Sequence, residues 1–247
     1  MTGNRPRRRQ NMIWLVPMCL VGVLLWGEGL LQRADAQQAE TAGSSPSYKP
    51  PQRGAPGGRT GGGTRGLADT TLGLAVLAPK EHTGLTVNAQ PALYWYLGQE
   101  TKHPVYVTLT DRQSVKPLLE VRLEPPLQAG IQRVRLADHN IRLQPGVPYD
   151  WSVAIVPDAA QRSQDIIVRG TIELVAPPDG LQGQLTQAGK TASPRLYAAA
   201  GLWYDAIAAL SALIATAPQD MTLRQQRAAL LEQEGLREAA AYDRQRK

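Results

Sequence analysis

The chain has 247 residues, 27 Lys+Arg against 21 Asp+Glu for a formal net charge of +6, and a single cysteine. That length suits one or two domains, but the first quarter does not read as folded core, so one principal domain is expected. The lone cysteine excludes a disulfide framework, and the fold must be held by packing.

The first 36 residues have the composition of an export signal. A basic stretch, Arg5 to Asn11, precedes an apolar run, Met12 to Trp26, and Ala34-Asp35-Ala36 supplies a small-x-small cleavage site before Gln37. The expectation is therefore an exported protein of the periplasm or cell envelope. Two alternatives are a retained inner-membrane anchor over residues 12–31 and lipid attachment at Cys19. Val16-Pro17-Met18 lacks the small residue that a lipid-modified cysteine wants just before it. Cleavage would remove five of the basic residues and two of the acidic ones, lowering the net charge to +3. So small an excess argues against a nucleic-acid partner.

Residues 37–66 are rich in Gly, Pro, Ser and Thr and nearly free of large apolar side chains. Such a stretch buries too little surface to offset its ordering entropy, and a disordered linker is expected. The alternatives are a Gly-rich strap packed on the following domain and a polyanion-binding segment using Arg53, Arg59 and Arg65.

From residue 67 to 178 short alternating runs predict an antiparallel β-sandwich of the immunoglobulin or fibronectin kind. Seven strands are expected, at Leu72–Leu77, Ala92–Leu97, Val105–Thr110, Leu118–Leu123, Gln132–Leu136, Tyr149–Val156 and Ile166–Val175. One face carries Leu93, Trp95 and Leu97, then Val105, Val107 and Leu109, with the period of two of a half-buried strand. In LQPGVPYDWSV, Leu143 and Pro145 stand six and four residues before Tyr149, the spacing of a tyrosine corner whose phenol donates to upstream backbone. Trp151 falls on the same face as Tyr149. In the last strand Arg169, Thr171 and Glu173 point outward, and Gly170 reads as a bulge or a point of close packing.

Residues 179–247 switch to a helical period, a short hairpin tail with Ser193 as N-cap and Pro194 at the first helical position. Gly201, Ala206 and Pro218 lie at offsets 0, 5 and 17, and Gly235 and Ala240 repeat the first two 34 residues later. This resembles one to one and a half tetratricopeptide repeats, too few to be stable alone. Docking of the tail on the sandwich or on a partner is expected, with Trp203 and Tyr204 read as core packing at helical spacing and, alternatively, as the candidate partner-binding pair.

No catalytic, cofactor or metal constellation stands out. QGQLTQAGKT lacks the glycine that a phosphate loop needs five positions before Gly189, where Gln184 stands. His82, His103 and His139 fall in expected loops without ligand spacing. There is no G-x-S-x-G elbow.

With the leader, Gly61 to Gly66, PALYWYL, the tyrosine corner and GLWYDAIAAL together, the chain resembles domain of unknown function family 928, exported proteins common in cyanobacteria and some other Gram-negative bacteria. The resemblance spans about Gly54 to Leu236 and implies fold and location, with no activity. Family members often carry cysteines where this chain has Leu67-Ala68 and Val156-Pro157, so if relatives use a disulfide there, this chain does without it.

The expected function is a noncatalytic envelope module that binds an envelope protein, without cofactor or nucleic acid, and with a membrane only through an uncleaved leader. The alternative is a carbohydrate or cell-wall ligand-binding domain with Tyr94, Tyr96 and Tyr106 as an exposed platform, and an unrecognised enzyme comes third. Buried or scattered tyrosines would favour the protein-binding reading.

Overall fold

The computed structural model describes residues 45–51, 58–62, 73–112, 114 and 116–245. The leader, Cys19, the cleavage site, much of the linker and Leu72 lie outside the described residues. The strands are β1 (Thr60–Gly62), β2 (Ala75–Val76), β3 (Gly84–Thr86), β4 (Ala92–Leu97), β5 (Val105–Asp111), β6 (Leu119–Leu123), β7 (Gly130–Arg135), β8 (Pro148–Ile155) and β9 (Ile166–Leu174). The helices are α1 (Leu181–Ala199), α2 (Trp203–Thr216), α3 (Met221–Gln233) and α4 (Arg237–Gln245).

Two sheets form the β body. One runs β1-β9-β8-β5-β6, with β3 also on β9, and the other runs β2-β4-β7. Alternation sends Val105, Val107 and Leu109 of β5, and Tyr149, Trp151 and Val153 of β8, into the interior with Leu93, Trp95 and Leu97 of β4. These side chains belong to one buried cluster drawn from both sheets.

The free edge of β9 is covered by two short strands that the alternation pattern does not announce. β1 pairs antiparallel with Arg169, Val168 and Ile167, and β3 pairs parallel with Ile172, Glu173 and Leu174. Between them Gly170 and Thr171 pair with neither. Gly170 is a point of close packing, since a Cβ there would meet Ala78 Cβ at 2.8 Å and Trp151 Nε1 at 3.0 Å.

The linker expectation needs correction where it is described. Tyr48 is buried, its backbone N–H donates to Gln233 Oε1 at 2.8 Å, and its ring meets Trp203 edge-on at 5.0 Å. Pro46 O accepts from Gln233 Nε2 at 3.0 Å, and Lys49 N–H donates to Ala198 O at 3.1 Å. One aromatic side chain and these hydrogen bonds anchor a segment whose composition reads as solvated. Gly58 packs backbone to backbone against Lys80 O, leaving no room for a side chain.

The tail is larger than the expected hairpin: four helices form two helix–Gly–helix units. Gly201 (φ 76°) and Gly235 (φ 70°), 34 residues apart, take the left-handed turns between α1 and α2 and between α3 and α4. The helix does not begin at Ser193-Pro194. α1 starts at Leu181 and is broken at Gly189 (φ 72°), and Pro194 lies inside it. The Lys190 carbonyl, which a residue at 194 would ordinarily reach with its N–H, accepts from Ser193 Oγ at 2.8 Å instead. Among α2, α3 and α4 a buried ion pair joins Arg227 to Asp243, with N–O distances of 2.6 and 2.7 Å, and Arg227 also donates to Ser211 Oγ at 2.9 Å. Its partners are mutually satisfied, the condition for a buried charge pair to be tolerated.

Candidate functional site

Trp203 and Tyr204 open α2 by driving into the β body. They are 0% and 1% exposed, so of the two readings they are core residues, and the alternative of a partner-binding surface is overturned. Trp203 Nε1–H donates to Leu77 O at 2.8 Å. Tyr204 accepts from Trp151 Nε1–H and donates to Thr171 O, both at 2.8 Å, inserting at the point where the β9 edge changes partners. Gly84 has no side chain because a Cβ would strike the Tyr204 ring. Desolvation raises the Tyr204 phenol well above its ordinary pKa, so it stays protonated and able to donate.

Asp205 follows and accepts from Val87 N–H at 3.0 Å. Burial pushes its carboxyl up to about 6, against the lowering effect of hydrogen bonds from Val87, Thr86 and its own backbone. Three consecutive side chains thus bond the start of α2 to the loops and strands of the β body.

The expected tyrosine platform is likewise overturned. Tyr94 and Tyr96, on the outward face of β4, are only 6% and 7% exposed, and the Tyr96 ring packs against Tyr242 of α4 with centroids 5.7 Å apart. Gly130 of β7 lies under the same Tyr242. Tyr106 is on the other sheet, half-buried, with the Arg162 guanidinium 5.6 Å above its ring.

The structural quartet fares differently. Leu143 is buried, Pro145 bridges to Leu174, and Trp151 fills the core. Tyr149 makes a corner with its polarity reversed: the phenol oxygen accepts from Gln144 N–H at 3.0 Å instead of donating. Of the histidines, His82 shares a hydrogen bond of 2.8 Å with the Tyr48 hydroxyl, so it is an anchor of the strap and not a solvated loop residue. Among the described residues no group of His, Cys, Asp and Glu could hold a metal ion. Also among them, no helix is long and apolar enough to cross a membrane.

Among the described residues no element covers the outward face of β9, β8 and β5. Cross-strand register aligns Arg169, Ser152 and Thr108 in one row and Thr171, Asp150 and Thr110 in the next. Thr108 and Ser152 share a 2.6 Å hydrogen bond, and Arg112 grips Asp150 through Nε and Nη2 at 2.9 to 3.1 Å. Beside these rows an open groove of about 660 Å³ is lined by Arg169, Gly170 and Thr171 of β9 and by the Gly58–Thr60 and Lys80–Glu81 segments, which are joined where Arg59 N–H donates to Pro79 O and Lys80 O.

The groove walls are fixed from behind. Arg59 donates from Nη1 to Ala78 O at 3.2 Å and from Nη2 to Glu234 O at 3.1 Å, and Lys80 N–H donates to Glu234 Oε2 at 2.8 Å. Sequence reading places Arg169 and Thr171 outward but gives no sign of the groove, because its walls come from segments some 90 to 110 residues earlier in the chain.

Two sheets sharing one core with a docked set of four C-terminal helices define a β-rich domain with an integral helical module. Residues 60–243 match the family Domain of Unknown Function (DUF928), and the chain belongs to that family. The matched span begins at the first residue of β1 and reaches into α4, while the Tyr48 strap lies before it. Comparison with curated proteins finds no match.

Proposed function

We propose that this chain is an exported, noncatalytic cell-envelope protein serving as a protein-interaction module, with the outward face of the larger sheet as its contact surface. The observation that carries the reading is the asymmetry of the two sheets. Tyr94 and Tyr96 are buried on one, Tyr96 against Tyr242 of α4, and the other presents hydroxyls and charges on β5, β8 and β9 with no element over them among the described residues. The basic-apolar-small order of the first 36 residues supports export.

The order β2-β4-β7 in one sheet and β9-β8-β5-β6 in the other, with β3 crossing to pair parallel with β9, supports an immunoglobulin or fibronectin-like sandwich. The two helix–Gly–helix units at a 34-residue spacing support a tetratricopeptide-like module used here for docking within the chain. The carbohydrate reading loses support with its platform.

The test is lysine cross-linking of the exported protein in envelope extract, with the products identified by mass spectrometry. The expected product begins at Gln37 and joins a partner through Lys80 or Lys116, beside the open face. Recovery with an intact leader in the membrane fraction would overturn export, and cross-links confined to Lys190 of α1 would overturn the choice of surface.

A further inference from the structure

The groove at the changeover of the β9 edge has a charge and a hydroxyl that the fold leaves over. Asp150 is neutralised by the two-pronged grip of Arg112, and Glu81 lies 3.6 Å from the Lys80 ammonium. Arg169 is exposed and, among the described residues, has no ion pair. One residue beyond the floor glycine, Thr171 is 5% exposed, and its Oγ1 has no hydrogen-bond partner among the described residues. A buried hydroxyl left unpartnered costs about 1–3 kcal/mol, so its retention at the bottom of an open groove beside an uncompensated guanidinium is a reason to look for a ligand.

The two groups are complementary to one chemistry. Arg169 and Thr171 alternate with the inward-facing Gly170, so both side chains stand on the same outward face of β9. A guanidinium presents a planar fork of donors that fits a carboxylate, and a threonine hydroxyl supplies a further donor to the same oxygens. Lys80 lines the same groove. With Arg112 and Lys80 each matched by a carboxylate, Arg169 and Arg59 leave the groove lining with two net positive charges, four cations against Glu81 and Asp150.

We propose that this groove binds a carboxylate of an acidic peptide segment of the partner protein, with Arg169 as the principal cation and Thr171 Oγ1 as the donor beneath it. The site rests on the protein-interaction reading above and names the chemistry of its partner. The walls are held open in advance by Arg59 and by the bond from Lys80 N–H to Glu234, so docking does not require them to be ordered anew.

The test titrates the purified chain with an oligo-glutamate peptide, an oligo-lysine peptide and oligogalacturonate, by calorimetry at low and moderate salt. Saturable binding of oligo-glutamate alone is expected, weakening as salt rises. Arg169→Gln should lower that affinity at least about tenfold. Thr171→Val, which keeps the shape, should lower it about fivefold, with the melting temperature of both variants held at or above the parent's.

Equal binding by Arg169→Gln and the parent would overturn the proposal, as would absence of oligo-glutamate binding. Tighter binding of oligogalacturonate would replace the peptide with a carboxylated glycan. Repeating the envelope cross-linking with Arg169→Gln separates the two levels: loss of the Lys80 cross-link supports the site, whereas an undiminished partner cross-link overturns the site and leaves the interaction module standing.

Discussion

The two sheets of this protein carry similar strands to opposite ends. ALYWYL in β4 buries both of its faces, Leu93, Trp95 and Leu97 on one and Tyr94 and Tyr96 on the other, with Tyr96 against Tyr242 of α4. VYVTLTD in β5 buries only Val105, Val107 and Leu109, and its Tyr106, Thr108 and Thr110 remain half-open. The difference lies less in the strands than in the helices that dock on one sheet and not on the other. Those helices carry an apolar and aromatic face that cannot be buried within so short a repeat, and β4 offers the matching tyrosines. An aromatic residue on an outward strand face marks a covered sheet as readily as a binding platform.

The sharpest way to break that comparison is to remove the cover. Deletion of residues 181–247 should leave a β body that no longer melts cooperatively, because Tyr94 and Tyr96 lose their cover and Trp151 its tie to Tyr204. Trp203→Ala is the point version, expected to cost about 3–5 kcal/mol in a denaturant melt. A truncated chain with the parent's melting temperature would mean that the helices only rest on the sheet.

Next in size is Asp205, whose carboxyl is raised from 3.8 to about 6 by burial at the seam between α2 and β3. Between those values the folded chain holds a proton that the unfolded chain has released. Stability should therefore be greatest below the lower value and fall as pH rises through the window, by about 3 kcal/mol in all. Asp205→Asn keeps an acceptor for Val87 N–H, so it should flatten this slope and raise stability at pH 7 by about 1–2 kcal/mol. An unchanged slope would show that the carboxyl is hydrated and the seam less dry than its packing implies.

Tyr149→Phe is smaller, about 1–2 kcal/mol, since it strips the acceptor from Gln144 N–H while keeping the ring in the core. Chemical melts of both proteins measure it, and a loss under about 0.5 kcal/mol would mean that water replaces the phenol at Gln144. Smallest is the open face: Arg112→Ala should change stability by less than about 1 kcal/mol despite its two-pronged grip on Asp150, because both groups are partly solvated. A larger loss would make the open face part of the scaffold.

The strand pattern is legible because period two requires only local alternation. Alternation alone places a strand at Ala92–Leu97, its observed bounds, and puts those starting near 105, 119, 149 and 166 within a residue or so of where they lie. β1 and β3 are not legible. Gly61 and Gly62 have no side chain to alternate, and both strands exist because the edge of β9 offers unpaired backbone to each. The strap around Tyr48 escapes for a related reason, since its burial depends on Trp203 and Gln233, both more than about 150 residues away.

The sequence by itself determined the alternation of the β body, the corner at Tyr149 and the 34-residue repeat of glycine turns, since each is written in neighbours or in a fixed local spacing. Tertiary structure alone decided the fate of the aromatic residues and the place of the candidate site. Trp203 and Tyr204 are the same side chains whether they face solvent or core, and only the docking of α2 against Leu77, Trp151 and Thr171 distinguishes the two. Arg169 and Thr171 become a groove floor only when segments near residues 59 and 80 close around them. Such groupings cost loop-closure entropy and are specified by the sum of long-range packing, which no local window of sequence contains.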